Sequence, residues 1–212
     1  MMTNKALLLV DLQNDFCPDG SLAVNEGEQT VIVANQVINL FQAQHHKIIA
    51  TQDWHPENHK SFASQSNQPV GSVGELAGLP QVFWPDHCIQ NSVGAELHPN
   101  LMQNKIDKII YKGTNPDIDS YSAFFDNGRR QQTALNNWLK SQHITHLTIM
   151  GLATDYCVKF TVLDALSLGY QVDLLADGCR GVNISSNDSK KAIDEMVKQG
   201  AKLVTLNQLA SS

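Results

Sequence analysis

A cysteine lies in a segment whose pattern favours chemistry at sulfur. The stretch Met150-Gly151-Leu152-Ala153-Thr154-Asp155-Tyr156-Cys157 separates an apolar run at 147–149 from an amphipathic segment at 158–168. This pattern predicts a strand, a tight turn and a helix, with Thr154 as the N-cap because its side-chain oxygen can accept from free N–H groups. The helix dipole would then favour a Cys157 thiolate, and the same N–H groups would stabilise an oxyanion. A buried cysteine with only a packing role is the alternative.

Other reactive side chains follow the predicted strands at their carboxyl ends. Asp11 follows the first strand, Asp53 and His55 the second, and Lys112 the third, while Cys157 lies just past the fourth. Ligands of an open α/β sheet bind at this edge, so we expect these side chains to meet. Asp11 could take the thiol proton and return it to a leaving amine, while Lys112 lowers the pKa of the cysteine. A Cys–His pair is the alternative, since the chain has eight histidines.

Two short segments have the residue types of a metal site. Asp53 and His55 are separated by one residue, so on an extended chain their side chains project to the same side. His87 could complete the set, and three protein ligands with open positions are typical of a catalytic metal. His59 is either a fourth ligand or a neighbour of the ligands. We interpret Cys88 as a packing residue that points away from the metal.

Composition excludes several classes of protein. The formal net charge is −6 and the pI is about 5.7, which argues against binding to nucleic acid or to an anionic membrane. The apolar run at 6–10 is too short for a signal peptide or a membrane span, and Asp11 ends it. Four cysteines without an export signal indicate free thiols in a reducing cytoplasm.

Apolar strands and amphipathic helices alternate along the chain, and this alternation predicts the fold. We expect an α/β fold of three layers, with a central, mostly parallel six-stranded sheet and helices on both faces, as one domain over residues 1–212. The predicted strands are 5–10, 47–51, 107–111, 146–150, 171–176 and 201–206, and the helices are 30–44, 132–140, 158–168 and 187–199. Residues 53–105 read as a long irregular region, which tends to be functional.

Taken together, these segments resemble a known family. The chain is similar to the isochorismatase-like cysteine hydrolases and, within them, to the nicotinamidase/pyrazinamidase branch. The resemblance covers nearly the whole chain in the family's order. The segments that carry it are Val10-Asp11-Leu12-Gln13-Asn14-Asp15-Phe16-Cys17, Asp53-Trp54-His55-Pro56 with His59, Trp84-Pro85-Asp86-His87-Cys88, Lys112-Gly113, Tyr121-Ser122-Ala123-Phe124 and Gly151-Leu152-Ala153-Thr154-Asp155-Tyr156-Cys157.

The resemblance implies a reaction and the residues that perform it. Nicotinamide, and pyrazinamide by analogy, would be hydrolysed to the acid and ammonia through a thioester on Cys157, as part of NAD salvage. Asp11, Lys112 and Cys157 would form the catalytic triad. The peptide before Ala153 would be cis, so that the N–H groups of Ala153 and Cys157 form an oxyanion hole.

The resemblance also implies a metal ion and a substrate pocket. One divalent metal, zinc as our first choice with Fe²⁺ or Mn²⁺ as alternatives, would be held by Asp53, His55 and His87, with waters in the other positions. A substrate ring would lie between Phe16 and Trp84, with Leu22 and Tyr121 as further walls. Its ring nitrogen would bind the metal directly or through a metal-held water.

Three other functions compete with this interpretation. A related amidohydrolase could act on a carbamoyl or ureido substrate with the same triad, and relatives of that kind generally lack the Asp/His/His set. Hydrolysis of a vinyl ether, as in isochorismatases, is the second alternative. The third is a non-catalytic binding protein, which the intact triad and metal residues disfavour. The expected partner is a small molecule, and a homo-oligomer is typical of the family.

Overall fold

A computed structural model of the protein describes residues 4–211. Its strands are β1 (Lys5–Val10), β2 (Lys47–Asp53), β3 (Val73–Leu76), β4 (Leu79–Val82), β5 (Lys108–Lys112), β6 (His146–Leu152), β7 (Gln171–Arg180) and β8 (Lys202–Val204). Its α-helices are α1 (Gly27–Ala43), α2 (Ala63–Ser66), α3 (Leu135–Ser141), α4 (Lys159–Ser167), α5 (Asp188–Lys198) and α6 (Leu206–Ala210).

Six of the strands form a central sheet in the order β5-β2-β1-β6-β7-β8. Neighbouring strands of this sheet all pair in parallel, which confirms the predicted six-stranded sheet. Strands β3 and β4 pair with each other as a separate antiparallel hairpin. The order places β1 in the interior, flanked by β2 and β6, so the ends of these three strands are neighbours.

The buried strands have the continuous apolar character that a parallel sheet covered on both faces requires. Residues 6–10 of β1 are all fully buried. Helix α1 packs on β1, β2, β6 and β7 and contacts α6, while α4 packs on β7 and contacts α5. The inward face of α1 carries Val31, Ala34, Ile38 and Phe41, which are all buried.

Several predicted boundaries need correction. The region 53–105 is not uniformly irregular, since it holds α2 and the β3–β4 hairpin. Strand β3 is mostly exposed, so it lacks the alternation of apolar and polar residues that would have revealed it. Strand β7 runs on to Arg180, past a register shift against β6. Strand β8 has only three residues. Among residues 4–211, no helix combines the length and apolarity needed to cross a membrane.

Candidate active site

The carboxyl ends of four neighbouring strands carry reactive side chains into one place. Strands β5, β2 and β1 deliver Lys112, Asp53 and Asp11, and the turn after β6 delivers Cys157. Asp53 lies directly opposite Lys112 in the β2–β5 ladder. All four side chains are buried, and Asp11 and Lys112 are at most 1% exposed. The structure therefore brings together the residues that the sequence placed at these ends.

The Lys112 ammonium is the centre of this cluster. Its Nζ lies 2.9 Å from Asp11 Oδ2 and 3.0 Å from Asp53 Oδ1. It also lies 3.4 Å from Cys157 Sγ and donates to the Ser120 carbonyl oxygen at 3.0 Å. Burial by itself would lower the pKa of Lys112, but the two carboxylates raise it well above its usual value. A charged ammonium thus holds both carboxylates and the sulfur around it.

Asp11 is a fully buried carboxyl group with a raised proton affinity. The Thr51 hydroxyl donates to its Oδ1 at 2.5 Å, while Lys112 contacts Oδ2. Burial raises the pKa of Asp11, and the nearby Lys112 ammonium lowers it. The negative charge of Asp53 raises it again, so the pKa of Asp11 lies above its ordinary value. Such a carboxyl group is suited to take up a proton and return it.

Cys157 lies in a single π-helical turn, Thr154–Val158, which precedes α4. The prediction of Thr154 as N-cap is wrong, because the N-cap is Ala153 and its side chain makes no capping bond. In this wide turn the Val158 N–H donates to the Ala153 carbonyl oxygen at 3.1 Å, five residues apart. Thr154 is therefore already inside the turn. The Leu152–Ala153 peptide is cis, as the family resemblance implies.

The thiol of Cys157 holds its proton more tightly than the sequence suggested. Burial raises the pKa of Cys157 well above its usual value, Lys112 lowers it, and Asp11 and Asp53 raise it again. Lys112 thus lowers the pKa of Cys157, as the sequence predicts, but burial and the two carboxylates outweigh this effect. A carboxylate oxygen of Asp11 lies within 4.8 Å of the sulfur, so a base for the thiol proton is close by.

Asp53, His55 and His87 form a buried donor set that fits a metal ion. One donor atom from each lies within 4.8 Å of the other two. Nδ1 of His55 lies 2.9 Å from the Gly113 carbonyl oxygen, and Nδ1 of His87 lies 2.7 Å from that of Pro85. Because a carbonyl only accepts, each Nδ1 carries the proton, and the Nε2 lone pairs face Asp53 Oδ2 at 3.1 and 3.6 Å. His55 Nε2 has Asp53 Oδ2 as its polar neighbour but makes no well-directed hydrogen bond, as expected of two ligands of one ion.

His59 lies beside this set and not within it. Its Nδ1 lies 2.7 Å from the Ser61 hydroxyl, and its ring centroid is 4.2 Å from that of His55. Burial and then His55 lower the pKa of His59 to about 4. A ring nitrogen of His59 lies within 4.8 Å of donor atoms of His55 and Asp119, so its assignment as a fourth ligand stays open. Cys88 is fully buried in the hydrophobic core, in line with a packing role.

A cavity opens beside the sulfur of Cys157. Its lining includes the four side chains that the sequence analysis assigned to the substrate, Phe16, Leu22, Trp84 and Tyr121. The Trp84 indole N–H donates to the Tyr121 hydroxyl at 3.2 Å, which fixes these two walls relative to each other. Aromatic faces around one cavity suit a flat ring.

Three further residues line the cavity, and the sequence analysis did not identify them. They are Asp119, Tyr156 and Val182. Tyr156 precedes the nucleophile, and Asp119 lies two residues before Tyr121, so proximity along the chain could have indicated both. Val182 comes from the loop after β7, and no motif in the sequence links that loop to the cavity.

Comparison with known proteins agrees with this geometry. The isochorismatase domain family matches residues 5–208. A nicotinamidase from Escherichia coli (strain K12) is 61% identical over 205 residues, which cover 97% of this chain and 96% of that protein. The structure of an Acinetobacter baumanii nicotinamidase/pyrazinamidase has a TM-score of 0.92 at 37% identity and covers 98% of both chains. That of a Pyrococcus horikoshii pyrazinamidase in complex with zinc has a TM-score of 0.79 at 38% identity, over 96% of this chain and 99% of that one.

These matches extend over almost the entire chain and include the strands that deliver Asp11, Asp53, Lys112 and Cys157. The family resemblance deduced from the sequence motifs is therefore confirmed. The donor set of Asp53, His55 and His87 also agrees with a divalent metal. The chain belongs to the isochorismatase family and, within it, to the nicotinamidases.

Proposed function

We propose that the protein hydrolyses nicotinamide to nicotinate and ammonia, and pyrazinamide in the same way. The observation that carries this proposal is the Lys112 ammonium, which contacts Asp11, Asp53 and the Cys157 sulfur beside an aromatic cavity. The nicotinamidase and pyrazinamidase activities named for the similar proteins support this substrate class.

In the first half of the reaction, Cys157 displaces ammonia from the carboxamide. Asp11 takes the thiol proton, and the sulfur attacks the amide carbon to form a tetrahedral adduct. The N–H groups of Ala153 and Cys157 would stabilise the negative charge on its oxygen. The carbon–nitrogen bond then breaks, the proton held by Asp11 passes to the leaving nitrogen, and a thioester remains on Cys157.

In the second half, water replaces the sulfur. Asp11 accepts a proton from a water molecule as the water oxygen attacks the thioester carbon. The carbon–sulfur bond then breaks, the proton held by Asp11 passes to the leaving sulfur to restore the thiol, and the acid formed releases its proton to solvent as nicotinate. Lys112 holds Asp11 in place through both halves, because its ammonium is fixed by several partners. Walls formed by Phe16 and Trp84 would hold the ring over the sulfur, and such positioning can supply up to ~7–11 kcal/mol.

Asp53, His55 and His87 would hold one divalent metal ion. When bound, such an ion supplies a positive centre that orients the ring nitrogen of the substrate, directly or through a water. We favour zinc because imidazole and carboxylate are among its usual ligands and because the Pyrococcus horikoshii relative was solved with zinc. Fe²⁺ and Mn²⁺ are the alternatives.

We also propose a setting for the protein. A hydrophobic core that draws its buried residues from Ala6 through to Val204 supports one domain over residues 1–212. The four free cysteines support a reducing compartment, the cytoplasm. The acidic net charge supports a small-molecule substrate and not nucleic acid as partner. A homo-oligomer and a role in NAD salvage are proposed from the family resemblance alone.

The test is ammonia release from nicotinamide by purified protein, before chelation, after chelation, and after return of zinc, iron or manganese. We expect chelation to abolish the activity and at least one metal to restore it. Cys157→Ala should remove the activity, while Cys179→Ala, a matched change at a buried cysteine outside the cavity lining, should retain it.

Two results would overturn the proposal. If no metal supports ammonia release from nicotinamide while carbamoyl or ureido compounds are hydrolysed, the substrate assignment is wrong. If Cys157→Ala hydrolyses nicotinamide at the parent rate, Cys157 is not the nucleophile.

A further inference from the structure

The loop between β7 and α5 contributes one wall of the cavity. Residues 181–187 contain no helix or strand, yet Val182 lines the cavity together with Cys157 and Tyr156. Val182 is a compact aliphatic side chain, whereas Phe16, Trp84 and Tyr121 supply large rings. Because Val182 is small and lies on a loop, a substitution there can change the size of the cavity with little disturbance of the sheet.

One buried carboxylate fixes this loop to the turn that carries the nucleophile. Asp155 lies in the same π-helical turn as Cys157 and is 6% exposed. Its Oδ1 accepts the Val182 N–H at 2.9 Å, and its Oδ2 accepts the Asn183 N–H at 2.7 Å. Hydrogen bonds to a charged acceptor are stronger than those between neutral groups. Asp155 therefore sets the distance between the Val182 wall and the sulfur.

The rest of the loop is shaped to meet this carboxylate. Asn183 adopts a left-handed φ of 53°, and its side-chain oxygen accepts the Ser189 N–H at 2.9 Å, which ties the loop to α5. At Gly181, an added Cβ would collide with the Ser189 hydroxyl and lie 3.1 Å from Asp155 Oδ1. The close approach of the loop to the nucleophile turn therefore depends on glycine at this position.

We propose that Val182 is a specificity-determining residue and that Asp155 is the positioning residue that holds it in the cavity. This inference rests on the proposed function, and it defines the preferred substrates more narrowly as pyridine and pyrazine carboxamides without ring substituents. A methyl group on the ring edge that faces this loop would collide with Val182. The aromatic walls contact the two flat faces of the substrate ring, and Val182 limits the size of substituents at the edge of that ring.

The test compares kcat/KM for nicotinamide with kcat/KM for nicotinamides that carry one methyl group at each free ring carbon. We expect Val182→Ala to raise the ratio of methylated to plain substrate about 10-fold for at least one member, since a methylene-sized change in an apolar pocket changes discrimination by about 10–200-fold. Val182→Leu should lower the same ratio. The ratio does not depend on the fraction of active protein, so a loss of folded enzyme cannot imitate the effect.

A double-mutant cycle tests the role of Asp155. We expect Asp155→Asn to shift the ratio in the same direction as Val182→Ala, because the loop is no longer held by a charged carboxylate. On the Val182→Ala background, Asp155→Asn should add no further change, since the wall has already been removed. The matched control is Asp107→Asn. Asp107 also accepts a backbone N–H, from Ile48 at 2.9 Å, but at the opposite end of the sheet, so it should leave the ratio unchanged.

Each outcome is decisive for a different claim. An active parent whose ratios stay within about twofold in both Val182 variants would overturn the role of Val182. A shift in Val182→Ala that Asp155→Asn does not share would overturn the positioning role of Asp155. If the parent releases no ammonia from nicotinamide at all, the proposed function fails first.

Discussion

Replacement of Lys112 by methionine would test whether one buried cation supports the whole site. Methionine has a similar length and volume but no charge, so the packing changes little. The ammonium contacts Asp11 at 2.9 Å and Asp53 at 3.0 Å, and these two carboxylates are 0% and 4% exposed. The variant leaves both of them buried without their shared partner.

The expected loss of stability follows from this burial. Removal of one partner of a buried ion pair costs about 3–5 kcal/mol. For a chain of this size, 1 kcal/mol corresponds to about 2–4 °C in Tm, so the variant should melt about 6–20 °C lower. Lys47→Met is the matched control, because Lys47 pairs with Asp107 at 2.8 Å while the two side chains are 45% and 30% exposed. An exposed pair of this kind contributes only about 0–1 kcal/mol.

The deficit of Lys112→Met should also depend on pH with a definite sign. In the parent, burial raises the pKa of Asp11 and Lys112 opposes the rise. Without Lys112, the folded-state pKa of Asp11 moves further above its unfolded value of about 3.9. A raised pKa contributes stability below the unfolded value, and this stability is lost as the pH rises through the folded value. The deficit relative to the parent should therefore be larger at about pH 8 than at about pH 5.

The assay is urea unfolding of the chelator-dialysed proteins at both pH values, since bound metal would add its own stabilisation. Hydrolysis of nicotinamide by the metal-loaded variant should fall by about 1,000-fold or more. The reasoning is refuted if Lys112→Met loses no more stability than Lys47→Met. It is also refuted if the deficit is the same at both pH values.

Two further predictions address the metal site and the far end of the sheet. Gly113→Ala should prevent metal uptake, because Gly113 has a φ of 65° and an added Cβ would collide with the His55 imidazole. Elemental analysis of the dialysed protein measures the bound metal. The control is Gly78→Ala, which should bind metal like the parent because Gly78 has a φ of 78° with open space around it. At the other end, burial raises the pKa of Asp173 but its bond to His146 at 2.8 Å more than offsets this, so the pKa is lowered. The ionised Asp173 therefore stabilises the fold above its unfolded pKa, and this stabilisation is lost as the pH falls through the folded-state pKa. Asp173→Asn should reduce the fall in unfolding free energy between about pH 5 and pH 3, as measured by urea unfolding. A fall equal to that of the parent would contradict this prediction.

Much of the sheet could be predicted because a strand that is buried on both faces appears in the sequence as a continuous run of apolar residues. Strand β1 is a run of apolar residues that ends directly before Asp11, and the apolar residues of β5 are followed by Lys112. In β2, Thr51 and Gln52 come between the apolar run and Asp53. Since parallel strands bring their carboxyl ends to one edge, the charged residues at the ends of these strands are expected to meet in the site. Asp11, Asp53 and Lys112 lie there for this reason.

Other features of the site depend on local geometry that no pattern of residue types indicates. The π-helical turn around Cys157 has a bond between residues five apart, and a five-residue turn is too short for any periodicity to distinguish it from an α-helix. The loop with Val182 enters the cavity because Asp155 binds its backbone N–H groups, and backbone donors are the same in every sequence. The proton affinity of Cys157 results from burial as much as from charge, and burial is a property of the folded chain.

The sequence suggests two separate groups, a triad and a metal set, but Asp53 belongs to both. Its Oδ1 faces the Lys112 ammonium, while its Oδ2 faces the Nε2 atoms of His55 and His87. A divalent ion bound to Oδ2 would withdraw negative charge from the same carboxylate that Lys112 contacts through Oδ1. The strength with which Lys112 holds Asp11 therefore depends on what occupies the histidine side of Asp53. Residue spacing cannot reveal this link, because it depends on how one side chain divides its two oxygens between neighbouring strands.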